Sequence, residues 1–245
     1  MKKLLATDLD GTLLKDDKTV SINTINTIHE MINEGHHFVV ATGRPFFRIT
    51  KILKQLDIIS DKIYCICNNG GLIISTDGTK TLYEEKMPHE HVVELIDLAI
   101  EHNLNLLLYK KDHIVTDHLD ENVTVFGNEP LLKIIDGGKE ALKEYQDVYK
   151  IVFNGTYEKL CDAKSKFPSE ILEKFNFVFS GYDFLDVNNK TVDKGFAVNH
   201  LAEILNIDLN NVYAVGDEEN DLGMVKAVKN GCCVANAKPS LKEVS

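Results

Sequence analysis

The first third of the chain alternates between two kinds of hydrophobic pattern. Short, nearly continuous apolar runs precede Asp8 and occupy residues 37–41 and 63–67, which is typical of strands buried on both faces of a sheet. Between them, apolar residues recur at helical spacing over residues 22–32 and 47–56. This strand–helix–strand–helix–strand order predicts a parallel sheet with right-handed crossover connections.

The middle of the chain has a different pattern. Before it, the first third ends with two turn signals that predict hairpins, Asn68-Asn69-Gly70-Gly71 and Asp77-Gly78. From about residue 88 we expect a helix, then strands, with a helical stretch over residues 157–175 interrupted at Pro168. The predicted strands of this part cover residues 104–109, 113–116, 149–154, 176–180 and 184–187. Such a succession favours an antiparallel α+β module.

The strand and helix alternation of the first third resumes near the end of the chain. The pattern there predicts a helix beginning at Asp193-Lys194-Gly195, a strand over residues 212–215, a helix through Met224 and a strand over residues 232–235. We therefore predict an α/β protein. Its Rossmann-like parallel-sheet core consists of residues 1–82 and 187–245, and an α+β module, residues 83–186, is inserted into it.

Composition narrows the classes of protein to consider. The 245 residues are 44% hydrophobic and 27% charged, as in a globular protein, and the formal net charge of -11 argues against a nucleic-acid partner. No apolar run approaches the roughly 20 residues of a membrane span, and the run before Asp8 is too short for the core of a signal peptide. The five cysteines are expected to be buried free thiols. We expect a cytoplasmic protein without a nucleic-acid or membrane partner.

Polar clusters follow three of the predicted strands. They are Asp8 and Asp10, then Thr42 and Gly43, and finally Asp217, Asn220 and Asp221, while Lys194 opens a helix. The carboxyl ends of neighbouring parallel strands meet at one edge of a sheet, where ligands of open α/β sheets bind. Singly, each residue has an ordinary explanation as a turn, a helix cap or a solvated charge. Together, their positions indicate a functional site.

The acidic residues fit the hydrolysis of a phosphate ester. Asp8 is the candidate nucleophile, which would form an aspartyl phosphate. Asp10 is the candidate general acid that protonates the leaving alcohol, and then the base that activates water. Two close carboxylates repel one another, so we expect a cation between them, and Mg²⁺ held by Asp8 and Asp217 suits oxygen ligands.

The remaining polar residues would hold the phosphoryl group. The Thr42 hydroxyl, the Gly43 amide and the Lys194 ammonium are candidates to contact its oxygens as charge shifts during transfer. Arg44 is either a surface charge or a second phosphate contact.

Four stretches carry a family resemblance. They are Asp8-Leu9-Asp10-Gly11-Thr12-Leu13-Leu14, Ala41-Thr42-Gly43-Arg44, Asp193-Lys194-Gly195 and the run from Gly216 to Met224. Their residues and order resemble the haloacid dehalogenase-like phosphatase superfamily, and within it the Cof-type, sugar-phosphatase-like branch. The likeness runs the length of the chain, and Asn69-Gly70 and Ala235–Pro239 are also similar to the family. The resemblance implies a Mg²⁺-dependent phosphatase acting on small phosphorylated metabolites, such as sugar phosphates.

The resemblance also implies a role for each matching residue. Asp8 would be the nucleophile and a Mg²⁺ ligand, Asp10 the acid and base that binds Mg²⁺ through its main-chain carbonyl, and Asp217 the third protein ligand. Asp221 would support these ligands without binding the ion itself. The implied phosphate contacts are the Leu9 amide, Thr42, Gly43, Lys194 and Asn220.

The resemblance further implies that the inserted module is a cap that closes over the site and selects the substrate. Family members usually continue past the position of Ser245 with a short strand and a helix. We therefore expect the sheet edge near residues 232–235 to be less covered here.

Three other functions remain open. A phosphomutase would use the same aspartyl phosphate but pass the phosphoryl group to a sugar hydroxyl instead of water. A signalling receiver module also places acidic residues, Thr and Lys around a phosphorylated Asp. The Asp-x-Asp spacing and the inserted module argue against a receiver, which has no need of a leaving-group acid. A degenerate binding protein would not need the intact set of motifs.

Overall fold

The computed structural model describes residues 1–118, 131–180 and 183–245 of the chain. They form two compact units, one of Met1–Glu84 and Thr191–Ser245, the other of Glu85–Lys190. The chain leaves the first unit after residue 84 and returns at residue 191. The boundaries predicted from the sequence lie after residue 82 and at residue 187.

The helices and strands follow in chain order. The first unit begins with β1 (Leu4–Thr7), α1 (Ile22–Asn33), β2 (His37–Ala41), α2 (Phe46–Gln55), β3 (Tyr64–Cys67), β4 (Leu72–Ser75) and β5 (Thr81–Glu84). The second unit contains α3 (His89–Glu101), β6 (Asn105–Tyr109), β7 (Ile114–Thr116), β8 (Leu132–Ile134), α4 (Gly138–Leu142), β9 (Lys150–Asn154), α5 (Tyr157–Ser165), α6 (Ser169–Lys174), β10 (Phe175–Phe179) and β11 (Phe184–Asn189). The first unit resumes with α7 (Lys194–Ile204), β12 (Val212–Gly216), α8 (Leu222–Ala227), β13 (Asn230–Cys233) and α9 (Pro239–Lys242).

The sheet of the first unit has the strand order β13-β12-β1-β2-β3-β4-β5. The pairs from β13 to β3 are parallel, whereas β4 and β5 add as antiparallel strands through the predicted hairpins. This arrangement confirms the predicted α/β fold with a parallel-sheet core. Thr7 at the end of β1 lies opposite Val215 on one side and Val40 on the other. The strands β12, β1 and β2 therefore reach the same sheet edge.

Local sequence signals explain where the first helix begins and ends. The Ser21 hydroxyl accepts a hydrogen bond from the Thr24 amide at 3.1 Å, which caps α1. Gly35 adopts a positive φ of 83°, a conformation that glycine allows at little cost, and the chain turns there into β2. Apolar side chains of β1, β2, β3, β12 and α7 pack into one buried core, which holds the strand ends in place.

The sheet of the second unit has the order β10-β11-β9-β6-β7-β8, and its pairs are antiparallel except for β7 with β8. Alternate residues of the strands, such as Ile151 and Phe153, pack with apolar residues of α3, α5 and α6 in one core. Pro168 separates α5 from α6, as predicted. The described part of this unit is thus the α+β module that the sequence indicated.

Three details differ from the predictions. The strand β8 and the helix α4 are additional elements. Both are short, and Leu142 is the one buried residue of α4, so neither has a clear periodic signal. The last strand covers Asn230–Cys233 instead of residues 232–235, because it pairs with β12 in a register that begins at Asn230. All five cysteines are free thiols, but they are not all buried as predicted: Cys65 and Cys67 are buried, Cys161 and Cys233 are half-buried, and Cys232 on this edge strand is exposed.

Across the described residues, no helix combines the length and the hydrophobicity that crossing a membrane requires.

Candidate active site

The end of β1 delivers Asp8 to the sheet edge. Its amide donates to the Val215 carbonyl at 3.0 Å, so the ladder with β12 continues one residue past the strand. The chain then turns back at Gly11, whose φ is 80°, and the Leu9 carbonyl accepts from the Leu14 amide at 2.8 Å. A side chain at position 11 would put its Cβ 2.2 Å from Asp217 Oδ2. Glycine is therefore required for this turn to lie against Asp217.

Lys194 joins two of the carboxylates. Asp193 caps α7 by accepting a hydrogen bond from the Phe196 amide at 2.9 Å, which places Lys194 in the first turn. The Lys194 ammonium donates to Asp8 Oδ1 and to Asp221 Oδ1, both at 2.7 Å. Its side chain is 0% exposed. A buried cation thus bridges two carboxylates that are 213 residues apart in sequence.

Asp221 and Asp217 are fixed by further hydrogen bonds. Asp221 Oδ2 accepts from the Asp217 amide at 2.9 Å and from the Glu218 amide at 3.2 Å. Asp217 Oδ1 accepts from the Thr12 hydroxyl at 2.7 Å. Carboxylate oxygens of Asp8, Asp217 and Asp221 all lie within 4.8 Å of one another, which is a spacing that could hold a metal ion.

Burial, together with the crowding of negative charge, shifts the pKa values in this cluster. Burial raises the pKa of Asp8 to about 7, with a further rise from the nearby Asp221 and Asp217 charges, although Lys194 opposes the rise. Burial also raises the pKa of Asp217, against the hydrogen bond from Thr12. For Lys194, burial lowers the pKa, but the Asp221 and Asp8 charges outweigh it and the net shift is upward. Three carboxylates against one ammonium leave the cluster short of positive charge.

Asp10 lies outside this cluster and has different partners. Arg44 donates from Nε to Asp10 Oδ2 at 2.7 Å and from Nη2 to Oδ1 at 2.6 Å, a two-point contact. Lys18 donates to the same Oδ1 at 2.9 Å. Burial raises the pKa of Asp10, but the hydrogen bonds and charges of Arg44 and Lys18 outweigh it, so the pKa is lowered. Arg44 is therefore not a free surface charge in this structure: its guanidinium binds the Asp10 carboxylate.

The predicted phosphate-binding residues lie at the same sheet edge, in the first unit. Thr42 is buried, and its hydroxyl accepts from the Arg44 amide at 3.2 Å. The Asn220 side-chain amide donates to Asn69 Oδ1 at 3.3 Å. A Cβ at Gly43 would lie 2.8 Å from the same Asn69 oxygen, so the backbone of Gly43 passes close to the side-chain amide of Asn69.

Several residues of the site had no assigned role in the sequence. Thr12 belongs to the Asp8–Leu14 motif, in which the aspartates have the predicted roles, and Asn69 has no predicted role beyond its similarity to the family. Lys18 carried no signal, since an exposed lysine in a polar loop is usually solvated. Asn236 donates to the Gly11 carbonyl at 2.9 Å, which ties the chain after β13 to the turn after β1.

Comparisons with known proteins extend over nearly the whole chain. A family model described as haloacid dehalogenase-like hydrolase matches residues 5–245. YxeH of Bacillus subtilis, which is named as a proposed phosphatase, is 30% identical over 252 residues, covering 100% of this chain and 92% of that protein. The HMP-PP phosphatase of Yersinia pseudotuberculosis is 27% identical over 248 residues, covering 99% of this chain and 87% of that protein.

A solved structure agrees with these matches. The crystal structure of a haloacid dehalogenase-like hydrolase from Bacteroides thetaiotaomicron has a TM-score of 0.86 and 28% sequence identity, and the match covers 100% of this chain and 92% of that one. The family resemblance seen in the motifs is thereby confirmed. The chain belongs to the haloacid dehalogenase-like hydrolase family, and it is a phosphatase of that family.

Proposed function

We propose that this phosphatase requires Mg²⁺ and hydrolyses small phosphorylated metabolites through an aspartyl phosphate on Asp8. The observation that carries the proposal is the buried Lys194 ammonium, 2.7 Å from both Asp8 Oδ1 and Asp221 Oδ1, beside the Asp217 carboxylate. This contact supports the proposal because a candidate nucleophile, a cation and a candidate metal site would then lie together at one sheet edge. The relative named HMP-PP phosphatase supports a small phosphorylated substrate.

The donor set fits Mg²⁺. Carboxylate oxygens are the hard ligands that this ion prefers, and the cluster has more negative than positive charge. Asp8, Asp217 and the main-chain carbonyl of Asp10 would hold the ion. Asp221 suits a supporting place instead, because its two oxygens already accept hydrogen bonds from Lys194, Asp217 and Glu218. When bound, the ion offsets the repulsion between Asp8 and the phosphoryl oxygens.

The first step would transfer the phosphoryl group to Asp8. A carboxylate oxygen of Asp8 attacks phosphorus, and the new O–P bond forms as the ester P–O bond breaks. Asp10 gives its proton to the leaving alkoxide. For this role Asp10 must be protonated, whereas Arg44 and Lys18 favour the ionised form. Their contacts therefore have to loosen in the substrate complex.

The second step would return Asp8 to its starting state. Asp10, now a carboxylate, takes a proton from a water molecule, which attacks phosphorus. The bond between Asp8 and phosphorus breaks, and inorganic phosphate leaves. In this step Asp10 needs the ionised form that Arg44 and Lys18 stabilise.

The phosphoryl oxygens would be held by groups from four segments. These are the Lys194 ammonium, the Thr42 hydroxyl, the Asn220 side-chain amide and the main-chain amides of Leu9 and Gly43. All five are donors, and donors aimed at the developing negative charge stabilise the transition state. The positions of these groups support this role, because each group follows the end of a strand or lies at the start of a helix at the same sheet edge.

The experiment is a screen of phosphorylated metabolites, sugar phosphates among them, with free phosphate measured in Mg²⁺ and in EDTA. We expect phosphate release only with Mg²⁺, and no bisphosphate product by ³¹P NMR. The variant Asp8→Asn should fold but lose turnover. Asp16→Asn is the matched control, because Asp16 is an exposed aspartate of the following loop; it should keep the activity of the parent.

A different experimental result would contradict each part of the proposal. Parental hydrolysis of an aryl phosphate by Asp8→Asn would exclude Asp8 as the nucleophile. Full activity in EDTA would exclude the metal. A bisphosphate product in place of free phosphate would identify a phosphomutase.

A further inference from the structure

The turn that follows β3 has an uncommon backbone. Asn68, Asn69 and Gly70 have φ values of 53°, 58° and 109°, so three consecutive residues lie in the left-handed region. Asn68 and Asn69 are also buried. Residues with a side chain adopt this region at a cost, and asparagine tolerates it better than most. Such backbones persist where the surroundings require them, often at functional sites.

The main chain of this turn holds the segment after β2. The Asn69 amide donates to the Thr42 carbonyl, and the Asn68 amide donates to the Arg44 carbonyl, both at 3.1 Å. These two bonds lie on either side of Gly43. A Cβ at Gly43 would be 2.8 Å from Asn69 Oδ1, which leaves this side-chain oxygen directly beside the Gly43 backbone.

The same turn also contacts the segments that carry Asn220 and Lys194. Asn69 Oδ1 accepts from the Asn220 side-chain amide at 3.3 Å. A Cβ at Gly70 would lie 2.3 Å from the carbonyl oxygen of Asp193, the residue before Lys194. One turn therefore lies against the three chain segments that supply Thr42, Asn220 and Lys194.

We propose that Asn69 is a positioning residue of the phosphate site, an inference that rests on the proposed function. Its side-chain oxygen orients the Asn220 amide, and its main-chain amide sets the loop of Thr42 and Gly43. Asn69 does this without touching the reacting atoms. Its left-handed backbone allows the amide to reach Thr42 while the side chain reaches Asn220.

The variant Asn69→Gly tests the side chain alone, because glycine adopts the same positive φ without strain. Removing one neutral hydrogen bond should lower kcat/KM about threefold to tenfold, chiefly through a higher KM, with a matching rise in the inhibition constant of inorganic phosphate. Asn206→Gly is the matched control, since Asn206 has a φ of 54° but is exposed at the end of α7. It should leave both constants unchanged.

A double-mutant cycle tests the route of the effect. If Asn69 acts through Asn220, Asn69→Gly should change kcat/KM by less than about twofold in an Asn220→Ala background. Losses that multiply in full would overturn the proposal, as would a single variant within twofold of the parent.

Hydrogen exchange supplies a readout that does not need activity. Without substrate, peptides spanning residues 217–222 should exchange faster in Asn69→Gly than in Asn206→Gly, and equal rates would overturn the proposal. An inactive parent would refute the proposed function, while this measurement would still report whether Asn69 holds Asn220.

Discussion

Replacing Lys194 with methionine tests the electrostatic balance of the site. Methionine has a similar length but no charge, and the Lys194 and Asp221 side chains are both 0% exposed. Removing one partner of a buried ion pair leaves an uncompensated charge, which typically costs about 3–5 kcal/mol of unfolding free energy. Lys194 has two carboxylate partners, at 2.7 Å each, so the upper part of this range is expected.

The assay is thermal and urea unfolding of Lys194→Met at pH 7, followed by circular dichroism. For a chain of this size each kcal/mol lowers the melting temperature by about 2–4 °C, so a loss of about 4–5 kcal/mol should lower it by roughly 8–20 °C. Lys51→Met is the matched control, because Lys51 is exposed on α2, and it should change stability by less than about 0.5 kcal/mol.

The pH dependence gives the sharper test. The pKa of Asp8 is raised from 3.8 to about 7, so the folded protein keeps a proton that the unfolded chain has released. Stability is therefore lost as pH rises through this window. Without Lys194 the pKa of Asp8 should rise further, because Lys194 lowers it in the parent. The deficit of the variant should thus be small near pH 4 and grow toward pH 8.

A second substitution checks the cause. Asp221→Asn removes one of the two charges that Lys194 neutralises, so it should restore part of the stability that Lys194→Met loses. A deficit below about 1 kcal/mol at pH 7, or one that does not vary with pH, would refute the reasoning.

Two other predictions concern the chemistry. Asp10→Asn should slow hydrolysis of alkyl phosphates by about 10²–10⁴-fold and affect aryl phosphates with good leaving groups less, since these need little protonation; equal losses across a leaving-group series would count against the acid role. Mg²⁺ should raise the melting temperature more at pH 8 than at pH 5, because Asp8, with a pKa of about 7, must be ionised to bind the ion. Equal shifts at both pH values would argue against Asp8 as a ligand.

The sheet edge could be predicted from the sequence because its signals are local. A short apolar run that stops at Asp8, or at Gly216 before Asp217, marks a buried strand and its end. Once such strands are parallel neighbours, their ends must meet, whatever the details of packing. The sequence could therefore predict the positions of residues that directly follow a strand or open a helix, whereas their roles stay predictions.

Pairings across the site depend on tertiary structure and had no local signal. The hydroxyl of Thr12 reaches Asp217 over 205 positions, and Asn220 reaches Asn69 over 151. No periodicity connects such residues, and a shift of one position in strand register would separate them. The sequence left the role of Arg44 open for the same reason: its partner is Asp10, and the turn at Gly11 determines where Asp10 lies.

Asp8 and Asp10 are two residues apart, yet their environments move their pKa values in opposite directions. Asp8 is buried among carboxylates and its pKa is raised, while Asp10 is paired with Arg44 and Lys18 and its pKa is lowered. The proposed first step needs the reverse: an ionised Asp8 to attack and a protonated Asp10 to donate. A cation beside Asp8 favours ionisation, and a substrate phosphate that attracts Arg44 and Lys18 away from Asp10 favours its protonation. The free protein therefore favours neither of the protonation states that the first step needs, and Mg²⁺ together with substrate would favour both. Because Asp8 must lose its proton to bind the ion, the stabilisation by Mg²⁺ should depend on pH.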